Sequence, residues 1–374
     1  MIIKELVLCL GRNSAFYFSS IFQKMWFSKR WILPMLCGLI GLLCCQFLPP
    51  KRVAVLSFYY WKQLRLGDTE GTEEEEEAQA FNTADLKQLG VQRAYVKLFD
   101  IDWRVGNGAY PRQRFQTIAP LPTLDLVLTF YILNRVFEKS DSADIEALAA
   151  HIVKVVGVKY AEIQMDCDWT ATTRDAYFKY LKTLRRQLAP SVKISATIRL
   201  HQIKYRDKTG IPPVDRGMLM VYNVGNPTEF TEKNSILDLD EVKKYLDGQK
   251  TYPLQLDVAL PIFRWGIVYR GQKLLTVFNN FNTNQADTTR FLTKNGRFYE
   301  VNKDTVYRKK YLRYGDKFKI EEINDNLLRG AAELAAPLVR HTDSLHITYF
   351  HYDKSLVSSL KSDTYAQVYK IFTR

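Results

Sequence analysis

The chain has 374 residues, 47% hydrophobic and 13% aromatic, enough to bury one large core or two modest ones. Lys and Arg number 53 against 40 Asp and Glu, a net charge of +13. This balance excludes a disordered chain, a collagen-like repeat and a polytopic membrane protein. No dense basic stripe accompanies it, so no nucleic-acid partner is expected.

The first 45 residues carry five basic residues, one acidic residue and four of the five cysteines: Cys9, Cys37, Cys44 and Cys45. Residues 31–45 read WILPMLCGLIGLLCC and follow Lys29 and Arg30. A charged segment before an apolar run is the pattern of a secretory signal. Met25 would start a conventional signal, making the first 24 residues a start-site extension. Two anchors fit the pattern. One is a lipid on Cys45, although Cys44 rather than a small residue precedes it. The other is an uncleaved helix over 31–48, apolar except for Gln46. A buried core helix is the plain alternative, and the flanking charges oppose it. The body after Lys51 is therefore expected outside the cytoplasm, in the cell envelope and tethered to the membrane. Cys167 is alone in that body, which leaves no internal disulfide and no Cys/His metal spacing.

Residues 68–80 (DTEGTEEEEEAQA) read as a solvated acidic insertion. Beyond it, β-branched and aromatic runs alternate with helical patterns. Strands are expected at 53–61, 93–101, 123–131, 160–168, 193–200, 217–223, 254–262 and 344–352. Helices are expected at 141–156, which opens on capping residues, and at 173–188, closed by Pro190. Eight strands with intervening helices predict an α/β fold, a (β/α)8 barrel over 51–374, rather than an open doubly wound sheet. No glycine-rich loop follows any strand, so no dinucleotide or phosphate cofactor is expected. Roughly eighty residues separate the last two strands, too many for a simple connection. Within them, 263–320 predicts a small β-rich insertion with hairpins at Arg270–Gly271 and Asn295–Gly296. Helices at 324–338 and 362–373 complete the barrel.

Alternation along a strand puts residues two apart on one face. In YAEIQMDCDW, Glu162, Gln164, Asp166 and Asp168 share a face, while Ile163, Met165 and Cys167 share the other. Asp100 and Asp102 repeat the pattern in FDIDW, and Ser195, Thr197, Arg199 and His201 form a third polar face. Buried carboxylates cost several kcal/mol unless paired, so their gathering at strand C-termini predicts a pocket at the barrel mouth. Each feature also has a plainer explanation. Arg199 would neutralise Asp166 or Asp168, Asp100 and Asp102 would cap a loop, and His201 would anchor one. Trp61, Trp103, Trp169 and Trp265 would then be packing residues, although a sugar ring could stack on them at strand ends.

SFYYW at 57–61, MDCDW at 165–169 and MVYN at 220–223 resemble the first, fourth and sixth strand signatures of family 18 glycoside hydrolases, the chitinase-like barrels. FDIDW with QMDCDW is similar still more to bacterial envelope proteins of glycoside-hydrolase-like barrel type. The resemblance spans most of 53–353 and implies a glycan-directed barrel with an insertion after the seventh strand. It departs from the family pattern at three places. Thr170 stands where the family has its general-acid glutamate, Ile163 where it has the first motif aspartate, and Asn223 where it has the sixth-strand aspartate. The expectation is a glycoside hydrolase acting on an envelope or environmental polysaccharide. Asp166 and Asp168 would act as acid, base or nucleophile with Asp100 and Asp102 assisting. Arg199, His201, Tyr222, Asn223 and the four Trp residues would bind substrate. The rival, kept alive by Thr170, is an inactive barrel that binds glycan or a protein partner. A divalent cation among the aspartates ranks last, because no ligand-loop pattern accompanies them.

Overall fold

The computed structural model describes residues 53–61, 86–87, 89–112, 124–157, 159–339 and 344–374. The signal and anchor expectations for 1–50, including Cys45, and the acidic stretch 68–80 lie outside these residues.

In chain order, β1 (Val53–Tyr60) is followed by β2 (Arg93–Arg104), whose end folds back on β3 (Gly108–Pro111). Next come β4 (Asp125–Ile132), α1 (Asn134–Lys139), α2 (Ser142–Val156), β5 (Glu162–Asp166) and α3 (Arg174–Gln187). The chain continues through β6 (Lys193–Arg199), α4 (Leu200–Lys204), α5 (Arg206–Thr209), β7 (Arg216–Met220), α6 (Leu239–Leu246) and β8 (Leu256–Pro261). Eight strands pair in parallel in the order β1, β2, β4, β5, β6, β7, β8 and finally a last strand, Ser344–Phe350, which pairs back onto β1. The sheet is closed: a (β/α)8 barrel.

Helix formation follows from capping and apolar periodicity. Asp141 and Asp144 close a reciprocal capping box at the start of α2, and Ile145, Leu148, Ala149, Ile152 and Val156 line its buried face. Each large apolar side chain so buried stabilises by about 1.5–3 kcal/mol. Helix α3 buries Tyr177, Tyr180, Leu181 and Leu184 on one stripe. Outward residues of the strands, such as Ile163, Met165 and Cys167, are fully buried under these helices.

The barrel interior is polar. Ser57 and Thr348 hydroxyls meet at 2.6 Å, and the Tyr59 hydroxyl donates to Gln164 at 2.5 Å across the lumen. Such groups are tolerated because they satisfy one another.

After β8 the insertion builds an antiparallel sheet from β9 (Trp265–Arg270), β10 (Lys273–Asn279), β11 (Leu292–Asn295), β12 (Phe298–Val301) and β15 (Lys317–Glu321). The short pair β13 (Thr305–Tyr307) and β14 (Lys310–Leu312) and helix α7 (Thr283–Thr288) belong to it. Both expected hairpins form, with Gly271 and Gly296 at φ 63° and 61° where a side chain would be strained. The sheet lies over the C-terminal face: Ser235, beyond β7, is held by Glu321, and Ser355, beyond the last strand, by Asn280. Helix α8 (Asp325–Val339) then leads to the last barrel strand, β16 (Ser344–Phe350), followed by α9 (Lys354–Val357) and α10 (Ser362–Thr373).

Candidate active site at the barrel mouth

A β-bulge in β2 decides which acids face the lumen. The register of β2 on β4 shifts between Lys97 and Phe99, so Leu98 is the extra residue. Strict alternation from Tyr95 would send Asp100 outward. With the bulge, Phe99 instead packs outward on Phe130, 5.3 Å between ring centroids, and Asp100 pairs level with Tyr131. Lys97 Nζ lies 3.1 Å from Asp100 and 5.3 Å above the Trp61 ring.

Strand β5 delivers Asp166 to the floor of the mouth, where only 5% of the residue remains exposed. One oxygen accepts from the Thr197 hydroxyl at 2.7 Å. Burial, then the neighbouring Asp168 charge, push its carboxyl up to about 7, with Thr197 and Arg199 pulling the other way. Asp166 therefore keeps its proton well above the ordinary carboxylate range and exchanges it close to neutral pH. Asp168 sits just above, with 43% of its side chain exposed, and faces Arg199 Nε at 3.3 Å. His201, half-buried on α4, is shifted down by burial and by the Arg199 charge. Tyr222, beyond β7, is 3% exposed, and its hydroxyl has no hydrogen-bond partner among the described residues. Burial raises its phenol well above the usual value, so it is a donor in search of an acceptor.

Aromatic rings form a continuous wall around these groups. Trp61 meets Phe350 at 5.4 Å, Phe350 stacks on Tyr222 at 5.1 Å, and Phe263 joins Tyr222 to Trp265. The Trp265 indole N–H is fixed by Glu321 at 2.7 Å.

Three residues expected at this site stand elsewhere. Asp102 is 1% exposed and is held by Arg135 of α1 through two hydrogen bonds and by Arg112 at 3.1 Å. Its carboxyl is drawn below the usual range chiefly by the Arg135 hydrogen bond. It ties β2 to α1. Trp169 is fully buried, stacks on Tyr177 at 5.2 Å and donates its indole N–H to the Thr209 carbonyl, so no sugar can reach it. Trp103 lies on the β2–β3 ribbon and is packed against the core. Asn223 is exposed at φ 53°, a left-handed position that asparagine tolerates well. Thr170 is exposed too. Its hydroxyl meets that of Thr172 at 2.8 Å, and its N–H is capped by Thr173, so it starts α3.

Sequence reasoning missed the charged network at the opposite, N-terminal end of the barrel. Arg216 grips Asp257 through Nε at 2.9 Å and through Nη2, and Asp257 meets the His346 ring at 2.9 Å. Arg93 bonds Glu162 and Asp125, each at 2.8 Å. The available signal was an Arg opening both β2 and β7.

Among the described residues no group of three or more His, Cys, Asp or Glu could hold a metal ion. No family model and no curated protein matches the sequence. Solved structures similar to the chain include a class V chitinase from Pseudomonas fluorescens, 13% identical, with 86% of this chain and 99% of that one covered and a TM-score of 0.49. A chitinase from Chromobacterium violaceum is 11% identical, covering 86% and 100%, at 0.48. The spore cortex-lytic enzyme of Bacillus cereus is 12% identical, covering 86% and 75%, at 0.47.

Proposed function

We propose that the barrel mouth is a carbohydrate site of glycoside-hydrolase type. The observation that carries this reading is the stacked acid pair. A proton-holding Asp166 lies beneath an exposed, ion-paired Asp168 inside an aromatic wall. Sugar rings present apolar faces that pack on Trp61, Phe350 and Trp265, while hydroxyls meet the polar floor. Glycosidic cleavage needs a proton for the leaving oxygen and negative charge beside the ring as positive charge develops. The Asp166–Asp168 pair supplies one proton and one carboxylate together, with Asp100 beside it and His201 at the rim. Arg199 and Tyr222 orient the substrate.

A second reading, a binding barrel without turnover, is favoured by one observation. Thr170 spends its hydroxyl at the start of α3 and offers no carboxyl proton to a leaving group. Hydrolysis assays across a glycan panel decide between the two. The enzyme reading expects turnover that falls by orders of magnitude in Asp166→Asn with melting preserved. A parent protein that binds glycan and releases no product establishes the binder.

We take the barrel to work outside the cytoplasm, held at the membrane by residues 31–48 or by a lipid on Cys45. The support is the sequence pattern of a charged segment before an apolar run. Fractionation that recovers the full-length chain free in the cytosol would overturn it.

A further inference from the structure

Three arginine–aspartate pairs among the described residues are fork-to-fork. Arg216 on Asp257, Arg270 on Asp316 and Arg135 on Asp102 each use Nε and Nη2 against both carboxylate oxygens. That arrangement is the strong, geometrically specific one. Arg199 at the mouth departs from it. Its Nε lies 3.3 Å from Asp168, and its two terminal nitrogens have no hydrogen-bond partner among the described residues.

Nearby, the Tyr222 hydroxyl is the second donor without an acceptor, 3% exposed and within electrostatic reach of Arg199. A further cation, Lys97, paired with Asp100, rests on the Trp61 face of the same wall and adds positive charge there. Donors left open beside aromatic rings call for an acceptor that arrives with the ligand. The forked guanidinium edge matches a planar, two-oxygen anion.

We propose that the mouth selects glycans carrying a carboxylate on the sugar, the carboxylate seated on the terminal nitrogens of Arg199 and on the Tyr222 hydroxyl, in preference to neutral polysaccharide. The proposal rests on the mouth being a carbohydrate site. Two sources present this chemistry: a uronic acid, with the carboxylate on the ring, and an ether-linked lactyl group on an amino sugar.

The test uses matched pairs. An oligouronate and a lactyl-bearing amino-sugar oligosaccharide are each compared with the same molecule after reduction of its carboxyl groups to alcohols. Binding is followed by calorimetry on the full-length chain and on its Arg199→Gln and Tyr222→Phe variants, with melting curves to verify folding. At least one carboxylated member is expected to bind roughly tenfold tighter than its reduced counterpart. The member that does so identifies the source. The preference should disappear in Arg199→Gln and shrink in Tyr222→Phe, a change that removes one oxygen and keeps the packing. Equal affinity within both pairs overturns the carboxylate preference and leaves the carbohydrate site standing. A preference that survives intact in folded Arg199→Gln also overturns it. Failure of all four oligosaccharides to bind the folded parent overturns the carbohydrate reading and this inference with it.

Discussion

The two ends of the barrel bury similar chemistry and treat it in opposite ways. At the N-terminal end, Arg216, Asp257 and His346 are locked together, and Arg93 spans Glu162 and Asp125. At the C-terminal mouth, the Asp166 carboxyl is pushed up by burial and by Asp168, the terminal nitrogens of Arg199 have no hydrogen-bond partner among the described residues, and the Tyr222 hydroxyl is open. Buried ions that are fully paired hold a fold together once folded. Buried groups left half-satisfied cost stability, and where several gather at a barrel mouth they point to an acceptor supplied from outside the chain. In barrels of this kind the strand C-termini carry the chemistry and the opposite face carries stability.

Breaking the comparison at the N-terminal end should produce the largest effect. Arg216→Met strands the Asp257 carboxylate, which is almost fully enclosed. Removing one partner of a buried pair costs about 3–5 kcal/mol, read as a lower melting temperature or denaturation midpoint. Whatever fraction remains folded should bind glycan as the parent does. A neutral outcome in melting would mean that the network contributes nothing net.

At the mouth the larger effect belongs to turnover. In Asp166→Asn the shape persists and the proton donor is lost, so hydrolysis should fall by about 100- to 10,000-fold. Glycan affinity should change little. Loss of folding with no change in residual specific activity would instead move Asp166 to the structural side of the comparison.

The two ends also titrate with opposite signs. Asp166 has its carboxyl raised from 3.8 to about 7. Between those values the folded state binds a proton that the unfolded state has released, so its contribution to stability falls as pH rises towards 7 and is lost above it. Asp257 is drawn below the ordinary range, with burial opposed by its hydrogen bonds to His346 and Arg216. Its contribution is present above the ordinary carboxylate range and is lost as pH falls through its depressed value. Asp166→Asn should therefore be more stable than the parent above pH 7, by up to a few kcal/mol. Below pH 4 the advantage should vanish. Melting curves across pH 3–9 check both limits.

Much of this was legible in the sequence because alternation is local. The eight strand runs, the capped helix α2, the amphipathic helix α3 and the inward face of β5 follow from neighbours along the chain. The placement of Asp100 does not, since it depends on a bulge that only pairing with β4 reveals. Trp169 misled for the opposite reason. Alternation already sets it on the outward face with Ile163, Met165 and Cys167, and it packs on α3 instead of entering the mouth. The network of Arg93, Glu162, Arg216, Asp257 and His346 draws on five different strands, and no local pattern connects them. The open fork of Arg199 was invisible as well, because sequence names an arginine and not how many of its nitrogens are taken.

The smallest predicted effect sits at Thr170, and its smallness is what makes it useful. Thr170 accepts the first helical hydrogen bond of α3 from Arg174 at 2.9 Å, while its hydroxyl is engaged with Thr172 and Thr173. Removing that hydroxyl in Thr170→Ala takes away a helix-start contact, worth about 0.5–1 kcal/mol. The side chain is exposed, so no cavity forms and no buried group is stranded. Turnover and glycan affinity should match the parent, because the proton is held by Asp166 and the exposed carboxylate by Asp168. Should turnover instead fall with Thr170→Ala as steeply as with Asp166→Asn, while melting shifts by less than about 1 kcal/mol, the hydroxyl would belong to the reacting groups. The helix-start hydrogen bonds would then describe the resting site alone, and the boundary between fold and chemistry would run through α3 rather than above it.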